Sequence, residues 1–491
     1  MVSNGRDVVL TSHDGSWSLP VRSGDHVFVV KPSNWSAPAC DGCPSFFYLH
    51  QPNGTPAEVQ LRFGGVAPTG LLPLSIDFPL RRRVEDSRFD VLLLADMQPG
   101  NAMELDFVRD ETLNSLLGTN AAFAINHGDV MGDDLSLLPR YRRMLKATGI
   151  TWHHCPGNHD MNLDTTDERF AFETWKRELG PTHYAFQHGR ATFIILNNVE
   201  YLPSGSRQPD GRAYRGRIGE RQLAFVENIL RHVAHDDLVV LSTHIPLVNF
   251  EDPESEQDNT TDRKKLLELL GNHPRNVSLA GHSHTTEHHY LGRDHGYPGN
   301  ELHHHHILTA ACGSWWSGAP DHRGIPQSDS RDGTPKGFHV LSVDGNSYST
   351  RFVPSGAVDH EQMRIAITSA APDGPPASSF PDEMIPVLKT RYVLVDVFDG
   401  GPRTNVFCEI TGSSAEPFEL RQVAAPDPYI VDMFQRHAEK CKPWVKPAVS
   451  SHMWTGPLPE ILPAGAHRLT IWASDQYGHT ARHSVVFEIG T

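Results

Sequence analysis

At 491 residues the chain is too long for one hydrophobic core, and at roughly 150 residues per domain it should divide into about three. Its 38% hydrophobic and 21% charged residues are ordinary for a globular chain, and no run of about 18 apolar residues suits a membrane span. A net charge of −16 argues against non-specific binding to nucleic acid or an anionic membrane, so an anionic substrate must be drawn in by a local positive feature such as bound metal.

The N-terminus, Met1 to Asp7, lacks a basic segment followed by an apolar one, so a cytoplasmic location is expected as written, or an exported one if a leader has been removed. Residues 1 to about 80 read as all-β. Val8–Leu10, Trp17–Pro20, His26–Lys31 and Phe46–Leu49 are strand-like, and Asp14-Gly15, Ser23-Gly24-Asp25 and Pro52-Asn53-Gly54 supply turns between them. A small β-sandwich is expected. The six cysteines include one C-x-x-C, Cys40 and Cys43, with no second pair to complete a four-thiolate zinc site; reduced thiols or a local disulfide are the simpler expectation.

From about 88 to 355 strands alternate with helices. Val91–Ala95, Ala121–Asn126, Thr151–Cys155, Leu238–Ser242 and Val277–Ala280 are apolar without alternation, as strands covered on both sides are. Asn101–Leu117, Leu135–Thr148, Asp167–Leu179, Glu220–His235 and Asp262–Leu270 carry apolar residues at helical spacing. An α/β layered domain follows, and Gly337–Phe352 reads as a hairpin turning at Asp344-Gly345-Asn346. Thirty histidines are unusual; alternation in the run His303–His306 would send two rings to each face, so at most two should look into any one site. Residues 368–383 form a Pro/Ser/Ala-rich linker, and residues 384–491 read as a second β-sandwich with one short helix at Val431–Lys440.

Each of the five strands is followed by a polar cluster: Asp96-Met97-Gln98, Gly128-Asp129, Gly157-Asn158-His159-Asp160, Thr243-His244 and Gly281-His282-Ser283-His284. Sites in α/β sheets form at these carboxyl ends. Singly, most of these clusters are strand-end turns or caps; five in order are not a coincidence. Carboxylate, amide and imidazole donors suit two divalent ions. Asp129 is the natural bridge, with Asp96 and His284 on one ion and Asn158, His244 and His282 on the other. Two ions would lower the pKa of a shared water, hold it as hydroxide and polarise a phosphoryl oxygen. His159 is placed to protonate the leaving oxygen, and Asp160 to orient it. Asp133 either orients ligands or caps the next helix.

These motifs resemble the calcineurin-like metallophosphoesterases, whose pattern is D-x-H, G-D, G-N-H-[ED], a His after a strand, and G-H-x-H. The resemblance covers residues 88 to about 355 and implies a four-layer α/β/β/α fold with a dinuclear centre of Mn, Fe or Zn on the ligands above. Val2-Ser3-Asn4-Gly5 and Gly313-Ser314-Trp315-Trp316-Ser317-Gly318 also resemble a bacterial subgroup with flanking β-sandwich domains. Gln98 replaces the family's first histidine, either as a weaker ligand or as a partner of a metal-bound water. Trp315 and Trp316 are candidates for a stacking platform or a buried plug; Asp321 and Asp332 could bind substrate hydroxyls; His305 or His306 could support the ligands. The expected function is hydrolysis of a small, hydroxyl-rich phosphomonoester, with a phosphodiesterase or a non-catalytic carbohydrate-binding protein as rivals.

Overall fold

The computed structural model describes residues 1–40, 42–208, 210–356, 362–368, 391–411, 416–459 and 462–489, with only the backbone described for Cys40. Most of the 368–383 linker therefore lies outside the described residues.

Two sheets lie face to face in the central region, residues 88–355. The first runs Trp152–Cys155, Phe123–His127, Arg88–Leu94, Gly337–Asp344, Ser347–Pro354, with the first three strands parallel. The second runs Tyr184–His188, Ala191–Ile195, Leu238–Ser242, Asn276–Ala280, His303–Ile307, Glu287–Leu291, parallel through its centre and antiparallel at both edges. Side chains alternate across a strand. Val91, Leu93 and Ala95 accordingly enter the core between the sheets with Phe123, Phe193 and Leu241. Leu92 and Leu94 enter a separate core under the helices Ala102–Phe107 and Leu138–Thr148, against Leu105, Tyr141 and Leu145. Glu220–Leu230 and Arg263–Leu270 cover the far face of the second sheet, burying Phe225, Val226, Leu266 and Leu270. The four layers α/β/β/α result. The expected long helix at 101–117 breaks after Phe107 into a wider π-helical segment, Val108–Leu113, and the hairpin turns at Gly345-Asn346 as read.

The N-terminal region is strand-rich but holds one four-stranded sheet, Val8–Val9, Val2–Ser3, Asp25–Val29, Phe47–His50, where a sandwich of its own was expected. The reason is that its apolar face closes on the layers of the central region. Phe28 meets the Phe225 ring edge-on at 5.8 Å and Phe46 lies 4.9 Å from Tyr184. Burying each such Phe is worth about 1.5–3 kcal/mol, so this sheet is part of the main core. Trp17–Pro20 forms no strand; Trp17 stacks on Phe78 instead.

The C-terminal region is a sandwich of two four-stranded sheets closing on Val395, Cys408, Trp454, Leu469 and Ile471. Its edge strand Met363–Thr368 pairs with Tyr392–Val397, so the sandwich recruits residues well before 384. Among the described residues no helix is long and apolar enough to cross a membrane.

A buried triad joins the two regions. His452 Nδ1 lies 2.6 Å from Asp396, and its Nε2 lies 2.9 Å from Asp332. Asp332, read from the sequence as a hydroxyl-binding loop carboxylate, is fully buried here and also accepts the Thr286 and Thr334 amides. Burial disfavours the His452 cation, but the two carboxylates outweigh it and hold the imidazole well above its usual range. A raised folded-state pKa gives stability that is complete below the unfolded histidine value of about 6.5 and is lost as pH rises through the folded value. Removing one member of a buried charged set costs about 3–5 kcal/mol. His452→Ala should therefore lower stability by about that amount at pH 6 in denaturant titration, with the gap to wild type narrowing at alkaline pH; a gap that widens with pH would contradict the charged triad.

Candidate metal centre

The first three clusters leave the first sheet and the last two leave the second, so the ligands meet across the layer boundary. The turn after each strand must fold back at once, and the backbone shows it. Asp96, Gln98, Asp129, Asp133, His282, His284, Trp315 and Trp316 all have positive φ, eight of ten such non-glycine residues among those described. Left-handed backbone costs of order 1 kcal/mol or more per residue, and its concentration at one place marks a functional site.

Asp129 is the hub. Its Oδ1 accepts the His159 amide at 2.9 Å and lies 3.3 Å from His244 Nε2. Its Oδ2 accepts from the Gln98 amide group at 3.3 Å. Burial opposes ionisation of Asp129, yet His244, His159 and His282 outweigh it and hold the carboxyl well below the usual range. On one side, His244 Nε2 lies 3.0 Å from Asn158 Oδ1 and 3.2 Å from His282 Nδ1. On the other, His284 Nε2 lies 3.7 Å from Asp96 Oδ1. His244 and His284 each give the Nδ1 proton to a backbone carbonyl, of His127 and Gly313, which turns the Nε2 lone pair toward the centre.

The residues fit a metal. Asp96 Oδ1 is buried without a hydrogen-bond partner, while Oδ2 accepts only the His282 amide. Burial pushes the Asp96 carboxyl up to about 7, the Asp129 charge adding to this against the pull of His244. A buried carboxylate oxygen facing imidazole lone pairs is stabilised by a cation between them. The donor atoms of Asp129, His244 and His282 all lie within 4.8 Å of one another.

Several expected roles change. Asp160 does not orient His159; it is buried and accepts the amides of Gly157, Val130 and Met131, stapling the Gly128-Asp129 turn to the Gly157-Asn158 turn. The carboxylate that holds His159 is Asp133, whose Oδ1 lies 2.8 Å from Nδ1, while Asp134 caps the following turn. Gln98 turns its NH2 group, not its oxygen, toward Asp129, so here it is a donor that fixes the Asp129 carboxylate. Trp315 does reach the centre, stacking on His284 at 3.9 Å. Trp316 is a buried plug whose Nε1–H donates to the Met97 carbonyl. Asp321 is occupied by Arg323 and its own turn. His305 and His306 lie elsewhere on the second sheet: His305 accepts the Leu247 amide and His306 pairs with Asp399. Sequence reasoning missed Tyr214, edge-on to His282 at 5.9 Å, and Trp444, edge-on to Trp315 at 6.5 Å; both lie in stretches without a motif.

Gly157 is a tight point, since a Cβ there would strike the backbone nitrogen and carboxylate of Asp129. Gly157→Ala should displace Asp129, cost about 1–3 kcal/mol of stability and strip metal from the protein, with circular dichroism unchanged. Full metal content in the variant, by elemental analysis, would show that the turn is not the constraint.

The family model described as Calcineurin-like phosphoesterase matches residues 89–286, and that described as C terminal of Calcineurin-like phosphoesterase matches residues 305–480. Among solved structures, purple acid phosphatase PPD1 from yellow lupin (Lupinus luteus) seeds aligns with TM-score 0.40 and 15% identity over 55% of this chain; the alignment spans about half, 52%, of that phosphatase chain. No curated protein matches the sequence. The two family models follow one another along the chain and together cover well over half of it: the protein belongs to the calcineurin-like phosphoesterases.

Proposed function

We propose that the protein hydrolyses phosphate esters with two divalent ions at this centre, Mn, Fe or Zn in class. The observation that carries the reading is the division of Asp129, with Oδ1 toward His244 and Oδ2 toward Gln98 and the Asp96 side. Asp129, Asn158, His244 and His282 would hold one ion, and Asp129, Asp96 and His284 the other. When bound, the ions supply Lewis acidity to a phosphoryl oxygen and an activated water.

The remaining steps belong to the chain itself. His159 donates its Nδ1 proton to Asp133, and its Nε2 lies 4.0 Å from Asp129 Oδ2 on a ring that is one-third exposed. Burial disfavours the imidazolium, but Asp129 and Asp133 outweigh it and raise His159 to about 9. Nε2 thus carries a proton that it can hand to the departing ester oxygen. Trp315 walls the His284 side, and Tyr214 stands at the His282 side. A flat or ring-bearing leaving group fits against Trp315. With Asp321 and Asp332 occupied by their own partners, recognition rests on these aromatic groups and on the phosphate itself. A small phosphomonoester is the substrate class we favour, and the net charge of −16 disfavours polynucleotides.

The test is turnover of p-nitrophenyl phosphate, bis(p-nitrophenyl) phosphate and a panel of natural esters, with each metal in turn. His159→Ala should lower kcat by about 10²–10⁴-fold with metal content unchanged. Asp133→Asn should lower kcat by about 10-fold or more through loss of ring orientation, with KM little affected. A fully metallated wild type that turns over no ester at all would sink the proposal.

A further inference from the structure

The second sheet carries another cluster, away from the strand ends. The register of Glu287–Leu291 against His303–Ile307 sets His288 opposite His306, and the two rings stack at 4.0 Å and 19°. Both Nε2 atoms point at the same oxygen, Asp399 Oδ1, at 3.1 Å each. Asp399 comes from the turn after Tyr392–Val397 in the C-terminal sandwich. The two histidine side chains are 1% and 0% exposed, and Asp399 is 14% exposed.

We propose that His288, His306 and Asp399 form a second metal site, independent of the strand-end centre, which takes one borderline divalent ion such as zinc and clasps the C-terminal sandwich to the catalytic sheet. Ligands on a tetrahedral zinc at about 2.0–2.1 Å stand about 3.3 Å apart, close to the two 3.1 Å separations found here. All three donor atoms lie within 4.8 Å of one another. Two imidazoles and a carboxylate suit zinc and leave one position open.

The groups behind His288 are arranged as a metal site needs. His288 Nδ1 lies 2.9 Å from His304 Nε2, and His304 Nδ1 lies 2.8 Å from Tyr348 Oη, a chain that draws the His288 proton outward and leaves the Nε2 lone pair facing Asp399. His339 Nε2 accepts the Thr309 amide, which places its proton on Nδ1, 3.5 Å from Asp399 Oδ2; this ring steadies the carboxylate rather than binding an ion. The turn is pressed onto the cluster, since a Cβ on Gly401 would stand 2.8 Å from His288 Cβ. Asp399 also lines a groove of about 410 Å³ shared with Arg351, Phe352, Asp475 and His479, which offers an ion a route in and room for a water as fourth ligand.

The test is a zinc count on the full chain by elemental mass spectrometry, after chelation and reloading with zinc sulfate. Wild type is compared with Asp399→Asn, and the pair is repeated in a background carrying Asp129→Ala and His244→Ala. Asp399→Asn should remove one equivalent per chain in both settings, and zinc should raise the thermal midpoint of the background protein but not of its Asp399→Asn derivative. Equal zinc with and without Asp399→Asn overturns the proposal and leaves histidines hydrogen-bonded to a carboxylate. Should Asp399→Asn fail to fold, cobalt(II) added to the Asp129→Ala, His244→Ala protein decides: the visible absorption of four-coordinate cobalt supports the site, and its absence overturns it.

Discussion

The carboxylate of Asp129 accepts a backbone amide from His159 and a side-chain amide from Gln98 and lies 3.3 Å from His244 Nε2, each group carried by a different strand end. These groups can meet only if two sheets present their carboxyl edges to one volume. The parallel pairing of Arg88–Leu94, Phe123–His127 and Trp152–Cys155 brings three edges level, and Leu238–Ser242 beside Asn276–Ala280 brings two more. The isolated bridge between Ala95 and Ala310 ties the two sets together at the same height. The layered core serves this meeting point. Val91, Leu93 and Leu241 are wholly buried within a few residues of ligands that would otherwise repel burial.

That placement has a cost in the backbone. A strand that ends in a ligand must turn sharply so that the side chain faces along the sheet edge, and eight of the strand-end and turn residues around the centre adopt left-handed φ although none is glycine. Asp160 shows how the strain is held. By accepting three amides from two different turns, it fixes the Gly128-Asp129 and Gly157-Asn158 corners against each other, and burial with the Asp129 charge pushes its carboxyl up to about 7. A carboxylate satisfied by backbone donors alone can bear such burial; Asp96, with one oxygen unmet among the described residues, would be stabilised there by a cation.

The strand ends were legible in the sequence because apolar runs of buried parallel strands stop abruptly at polar residues, and the ligand chemistry sits immediately after each stop. Roles that depend on which way a side chain turns were not. Asp160 is next to His159 in the chain and Asp133 is 26 residues away, yet it is the left-handed turn at Asp133 that brings a carboxylate to Nδ1. Trp315 and Trp316 are adjacent and alike, yet consecutive left-handed residues send one ring onto His284 and the other into the core beneath Met97. The N-terminal sheet misled for a related reason. Its alternation marks an apolar face, but nothing local says whether that face closes on a second sheet of its own or on Phe225 and Tyr184. The edge strand Met363–Thr368 and the strand Ser450–Pro457 are completed only by partners distant in sequence.

The C-terminal sandwich is best understood as part of the catalytic assembly. The family model for this region begins at residue 305, inside the strand His303–Ile307 of the second sheet. The contacts follow the same division. The Arg331 amide donates to the His284 carbonyl, its own carbonyl accepts the Ala448 amide, and the neighbouring Asp332 is locked by His452. Lys442 reaches Glu104, which in turn accepts the Gly100 amide just beyond Gln98. Trp444 abuts the Trp315 ring that lies on His284. Two ligand-bearing loops are thus braced from the sandwich side as well as from the sheets. A ligand needs its geometry held to a fraction of an ångström, and loops braced from one side only do not hold it. The distant domain therefore helps to hold the backbone on which His284 and Gln98 stand.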